Sequence, residues 1–181
     1  MTSPDRLPLS VILATIEPPP WPDLVSCLEV LAPQVAAVGG EIIVGDGHGA
    51  ALGESNAVDS LGVSWVRIPG ASVFELRARA VERARGEIIA LTEDHCLVGR
   101  DWCQQILNAF SSHPNVMGVS GPVLNGSTDH QIDQANFLHT FASSISPEAD
   151  TASTASCSPA ECCSRTCAGS WPDRSGDPST R

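Results

Sequence analysis

Apolar and polar positions along the first 125 residues fall into blocks that read in turn as strand and helix. Leu9 to Ala14 is an apolar run centred on Val11 and Ile12, the pattern of a strand buried on both faces. Pro18, Pro19, Pro20 and Pro22 then enforce a loop, because proline fixes φ and lacks a donor. Asp23 to Leu31 spaces Leu24, Cys27, Leu28 and Leu31 on one helical face, and Pro33 with Gly39-Gly40 is expected to end it. Glu41 to Val44 is a second strand, stopped by Gly45-Asp46-Gly47-His48-Gly49. Val63 to Ile68 is a third. Ser72 to Arg85 is helical, Glu87 to Leu91 a fourth strand, Asp101 to Phe110 a capped helix and Val116 to Val123 a fifth strand.

Strands alternating with helices imply a mostly parallel sheet with helices on both faces. Such sheets bind ligands beyond the C-terminal ends of their strands, so the places to search lie just after residues 14, 44 and 91. The pattern stops near Ala142. From Ser143 to Arg181 there is no leucine, valine or phenylalanine, and Ser, Thr, Pro, Ala, Asp and Cys dominate. Such a segment buries too little apolar surface to offset its ordering entropy. We therefore divide the chain into a folded unit, 1–142, and a disordered low-complexity tail, 143–181. A change this abrupt is also what an out-of-frame end to a GC-rich gene would produce.

Composition narrows the function. The net charge is −11 and lysine is absent, which argues against a grip on nucleic acid or anionic lipid. A small phosphate ligand held through a metal and a few arginines is still allowed. The N-terminus lacks the charged start and apolar run of a signal peptide, and no stretch has the length of a membrane span. The expected compartment is the cytoplasm, with peripheral work at the inner face of the membrane left open. Cys27, Cys96 and Cys103 are expected to be reduced. The tail cysteines, Cys157, Cys162, Cys163 and Cys167, do not match the spacing of a common zinc module.

Acids stand at two strand ends: Asp46 after Glu-Ile-Ile-Val-Gly, and Glu93-Asp94 after Ile-Ile-Ala-Leu-Thr. A carboxylate held there next to a diphosphate requires a divalent cation between the two. Mg²⁺ or Mn²⁺ takes one or two carboxylate oxygens and completes its shell with phosphate and water. Strand-end acids can also merely begin turns. Arg77, Arg79, Arg83 and Arg85 spread around more than one face of their helix. Most are expected to be solvated, pairing with Glu75 and Glu82, with Arg77 alone functional.

The order of these pieces resembles family-2 glycosyltransferases. The resemblance runs over about residues 8 to 125 and rests on a run of matches. These are Ala14-Thr15-Ile16-Glu17 at the first turn, Glu41-Ile42-Ile43-Val44-Gly45-Asp46-Gly47-His48-Gly49 at the second strand, and Leu76-Arg77-Ala78 on a helix. Ala84-Arg85-Gly86-Glu87-Ile88-Ile89 then leads into Thr92-Glu93-Asp94-His95 at the metal motif. Asp101-Trp102 opens the next helix, and Val119-Ser120-Gly121-Pro122 closes the next strand.

The resemblance implies an α/β, three-layer GT-A fold: a Rossmann-like, mostly parallel sheet of the nucleotide-diphospho-sugar transferase type, incomplete at its C-terminus. It implies transfer of a sugar from a nucleotide-diphosphate donor to an acceptor hydroxyl, assisted by Mn²⁺ or Mg²⁺. The acceptor would be a glycan, lipid-linked sugar or protein, as in cell-envelope polysaccharide synthesis. Thr15 and Glu17 would lie in the first-strand turn against the nucleotide, and Asp46 would accept from the base. Arg77 would face the diphosphate, Glu93 would contact ribose, sugar or a metal-bound water, and Asp94 would bind the metal. His95 would be an accessory group or plain polar loop.

Three positions depart from the family: Ile16 where an aromatic often stands, Gly47 for the second acid of Asp-Asp-Gly, and Thr92 for the first acid of the metal motif. An inverting enzyme also needs a general base, which the family places after the fifth strand. Here Asp133-Gln134-Ala135-Asn136-Phe137-Leu138 still looks family-like before the pattern dissolves. A catalytically inactive nucleotide-sugar-binding remnant, without acceptor half or base, is therefore the alternative. A nucleotidyltransferase would want a glycine-rich basic loop after the first strand. A dehydrogenase would want Gly-x-Gly-x-x-Gly there, and neither is present.

Overall fold

The structure is a computed structural model and describes residues 6–17, 21–48, 61–121, 123–126, 131–141, 155–157 and 167–170. Four parallel strands form its centre. They are β1 (Leu7–Thr15), β2 (Glu41–Asp46), β3 (Val63–Arg67) and β4 (Gly86–Leu91), ordered β3-β2-β1-β4. The helices are α1 (Pro22–Ala37), α2 (Val73–Arg83), α3 (Trp102–Ser112) and α4 (Gln131–Phe141). β5 (Cys96–Val98), β6 (Gly118–Ser120) and β7 (Val123–Asn125) are short.

Of the stretch 143–181, the described residues comprise β8 (Ala155–Cys157) and β9 (Cys167–Ser170). β9 runs antiparallel between β4 and β6, and β8 lies between β5 and β7. The remainder of that stretch, and the side chains of its cysteines, lie outside the described residues.

Alternation along β1 sets the layers. Leu9, Val11 and Leu13 face α1 and α3, packing with Leu24, Leu28, Leu31, Trp102 and Ile106. Ile12 faces the opposite way, onto Ile43, Val66, Ile89 and Ala80 of α2. This is the three-layer α/β arrangement expected from the alternating blocks. Gly45 permits the close approach of α2: a Cβ there would lie 2.8 Å from the Leu76 Cβ.

α1 does not stop near Leu31 but continues through Pro33 to Ala37. Pro33 forfeits one backbone hydrogen bond, while Leu31 and Val35 on either side are buried and hold the helix to the sheet. The true stop is Gly39, at φ +69°, with Gly40 N–H donating to the Val35 carbonyl at 2.9 Å. The single strand expected over Val116 to Val123 is instead β6 and β7, which belong to different sheets.

At the N-terminal ends of β1, β2 and β4 a polar clasp closes the sheet. Ser10 Oγ donates to Glu41 Oε1 at 2.7 Å and accepts from Gly86 N–H at 2.7 Å. Arg85 donates to Glu41 from its backbone at 2.6 Å and from its guanidinium at 2.9 and 3.0 Å. Burial by itself raises the Glu41 pKa. The bonds from Ser10 and Arg85 outweigh it and hold the carboxyl below its ordinary range. A depressed carboxyl pKa stabilises the fold above the unfolded value and loses that contribution as pH falls through the folded one. Glu41→Gln should therefore be less stable than the parent at pH 7, with the gap narrowing towards about pH 3. Urea denaturation across that range checks it, and a pH-independent gap would show that the clasp is not ionic.

Candidate active site

The C-terminal ends of β1, β2 and β3 carry a row of polar side chains set by strand register. Thr15 pairs with Asp46, and Asp46 pairs with Arg67. In-register parallel residues point to the same face, here the α1 face, where Leu13 and Val44 precede them. Beyond β4, the turn Thr92–His95 brings Asp94 and His95 beside the first strand's end. Asp94 Oδ1 lies 2.9 Å from His95 Nδ1.

A cavity of about 250 Å³ opens at this edge, lined among others by Thr15, Glu17, Trp21, Asp23, Asp94 and His95. Three of the six are acids and none is arginine. Such a lining favours a cation over a bare anion. The Thr15 side chain is 1% exposed, and its Oγ1 has no hydrogen-bond partner. A buried hydroxyl left unbonded costs free energy unless something fills the space before it. Among the described residues no three His, Cys, Asp or Glu side chains converge into a ready-made metal cage. One strand-end carboxylate with room beside it still fits Mg²⁺ or Mn²⁺, which draw most of their ligands from phosphate and water.

The other expected site residues are placed differently. Asp46 is fully buried and does not line the cavity. It accepts from His48 N–H at 2.9 Å and lies 3.8 Å from Arg67 Nε. Arg77 and Glu93 form an ion pair with each other, at 20% and 12% side-chain exposure, and neither lines the cavity. The neighbouring arginines have partners of their own: Arg79 pairs with Glu82 at 3.2 Å, Arg83 bonds the Trp65 carbonyl, and Arg85, beyond the end of α2, belongs to the clasp. Gly47 has no room for the acid the family carries there, because a Cβ would lie 2.9 Å from the Ala71 carbonyl oxygen.

Trp21 and Asp23 were missed in the sequence. Trp21 stands just before α1 at φ 55°, the one positive-φ non-glycine among the described residues. That is a strained backbone for a bulky side chain, more so before a proline. It is held by an indole N–H bond to the Glu17 carbonyl at 2.7 Å and by stacking on Trp65, ring centroids 5.5 Å apart. The indole bond thus ties Trp21 to the backbone of Glu17 at the cavity wall. Cys27, Cys96 and Cys103 are buried thiols. Burial first, then nearby Cys96 and Asp94, pushes the Cys27 thiol well above its usual range, and burial pushes Cys103 up to about 12. A larger cavity of about 460 Å³ lies between α1 and α3 around Val30, Pro33, Ala37 and Cys103, and shares no lining residue with the acidic one. No helix among the described residues is long and apolar enough to cross a membrane.

No family model matches the sequence, and no curated protein matches it. Among solved structures, the chain is similar to S. aureus TarS (crystal structure of residues 1–349), with a TM-score of 0.52 at 15% identity. The match covers 69% of this chain and 39% of that one, so this chain spans well under half the neighbour's length. At that identity the likeness concerns the fold alone, a mixed α/β one centred on four parallel strands.

Proposed function

We propose that the chain binds a nucleoside-diphosphate sugar across the C-terminal ends of its parallel strands and donates the sugar to an acceptor hydroxyl, as a family-2-type glycosyltransferase would. The observation that carries this reading is the acidic cavity in which unpartnered, buried Thr15 meets Asp94. A Mn²⁺ or Mg²⁺ on Asp94 would supply positive charge to the departing diphosphate. Thr15 offers a hydroxyl to the nucleotide where β1 ends. Trp21 and Glu17 close the outer wall and limit water. Transfer further requires a general base for the acceptor proton, and no residue in this cavity is assigned that role.

A second reading is donor binding without transfer. It is favoured by the Arg77–Glu93 pair, which holds the helix arginine away from the cavity. Transfer to a glycan, lipid-linked or protein acceptor separates the two readings.

Calorimetry with UDP, GDP and TDP, with and without Mn²⁺, tests the donor site. Metal-dependent binding of at least one nucleotide is expected, weakened at least tenfold or so in Asp94→Asn. The asparagine oxygen can still face His95, so the variant should remain folded, as circular dichroism would verify. Equal binding by the variant, or no binding by the folded parent chain, would overturn the proposal.

A further inference from the structure

We infer that Arg67 selects the base of the donor, favouring bases with a carbonyl oxygen at purine C6 or pyrimidine C4, such as guanine and uracil, over those with an amino group there, such as adenine and cytosine. The inference rests on the donor site proposed above and adds to it the chemical class of base.

The geometry begins with the register. Thr15, Asp46 and Arg67 form one row at the ends of β1, β2 and β3, and Asp94 continues it past β4. Neighbouring strands lie about 4.8 Å apart, so the row spans roughly 14 Å from β4 to β3. A nucleoside diphosphate laid along it, phosphates at Asp94 and ribose near Thr15, brings its base to the β2–β3 end.

Arg67 is the accessible group there. Its side chain is 35% exposed, whereas its neighbour Asp46 is fully buried. The guanidinium is held on two sides: Nε faces Asp46 Oδ2 at 3.8 Å, and Cζ lies 5.5 Å from the Trp65 ring centroid. Trp65 is itself backed by Trp21, so the guanidinium packs on a stack that reaches the cavity wall. An arginine held in this way presents N–H donors and no acceptor. A carbonyl such as guanine O6 or uracil O4 accepts from it. An amino group on adenine or cytosine sets donor against donor.

The test uses the intact chain with Mn²⁺ and four nucleotides in two matched pairs, GDP with ADP and UDP with CDP. The carbonyl member of at least one pair should bind roughly tenfold or more tightly than its amino partner. Inosine diphosphate, which keeps O6 but lacks the 2-amino group, should bind as GDP does. Arg67→Ala should abolish the preference while keeping metal-dependent binding of the diphosphate. Because the variant leaves Asp46 without its cation, Arg67→Lys provides a charge-preserving second variant, expected to retain the fold and to weaken the preference. Binding of all four with no preference, or a preference that survives in both variants, would overturn the role of Arg67 and leave the donor site standing. Failure of every nucleotide to bind would remove the donor site and this inference together.

Discussion

Gly86→Ala is expected to destabilise the chain by about 3 kcal/mol or more, and to do so without touching the candidate site. Gly86 begins β4, in parallel register with Leu7 of β1. A Cβ on Gly86 would lie 2.3 Å from the Ser10 nitrogen, 2.6 Å from the Leu9 carbonyl carbon and 2.6 Å from Ser10 Oγ. Two of these three atoms are backbone, so no rotamer change relieves the overlap, and β4 must move away from β1. Moving it also breaks the Gly86 N–H bond to Ser10 and strains the Glu41 clasp. Gly39 serves as the control. It stands at φ +69° with nothing near its would-be Cβ, so alanine there carries only the left-handed penalty of about 1–2 kcal/mol. Chemical denaturation of both variants reads the difference. Equal stability of the two would show that β1 and β4 can separate at little cost.

The reach of the sequence can be judged residue by residue. The strands were legible because β-branched runs such as Val11-Ile12 and Ile42-Ile43 are buried on both faces. α2 was legible because Ser72 caps it, accepting from Glu75 N–H at 3.3 Å. Helix α1 was read too short because proline is a local signal, while the burial that carries the helix past Pro33 is tertiary. The same holds at the site. Asp94 could be singled out from its place after a strand, and it does line the cavity. Asp46 also stands at a strand end, yet it is fully buried, and its depth follows from packing no single-strand pattern records. Trp21 sits in a proline-rich loop whose composition says only that it is not regular. Arg67 is one arginine at one strand end. Its significance comes from Asp46 and Trp65 around it, the first brought alongside by the register of β2 with β3.

Arg77→Ala is the second large expected effect, about 3 kcal/mol of lost stability, and it separates two roles for this residue. Glu93 is 9% exposed, and Arg77 is its ion-pair partner. A buried ion pair adds little net stability over an apolar pair of similar size, because desolvating both charges offsets their attraction. Removing one partner is different: the remaining carboxylate stays buried and uncompensated. The single variant should therefore be far less stable than the double variant Arg77→Ala/Glu93→Gln, in which no charge is stranded. Comparable losses in both would mean that the stability comes from the packing of the arginine stem and not from the charge. Arg77 Nε is itself buried without a partner, so the pair leaves one donor unsatisfied. A diphosphate that drew the guanidinium away from Glu93 would satisfy that donor but strand the acid. Titrating the double variant with nucleotide and Mn²⁺ then decides between the roles. Affinity equal to that of the parent makes Arg77 a structural counter-ion of Glu93. A loss of roughly tenfold or more beyond that of Glu93→Gln alone makes it a ligand of the phosphates as well.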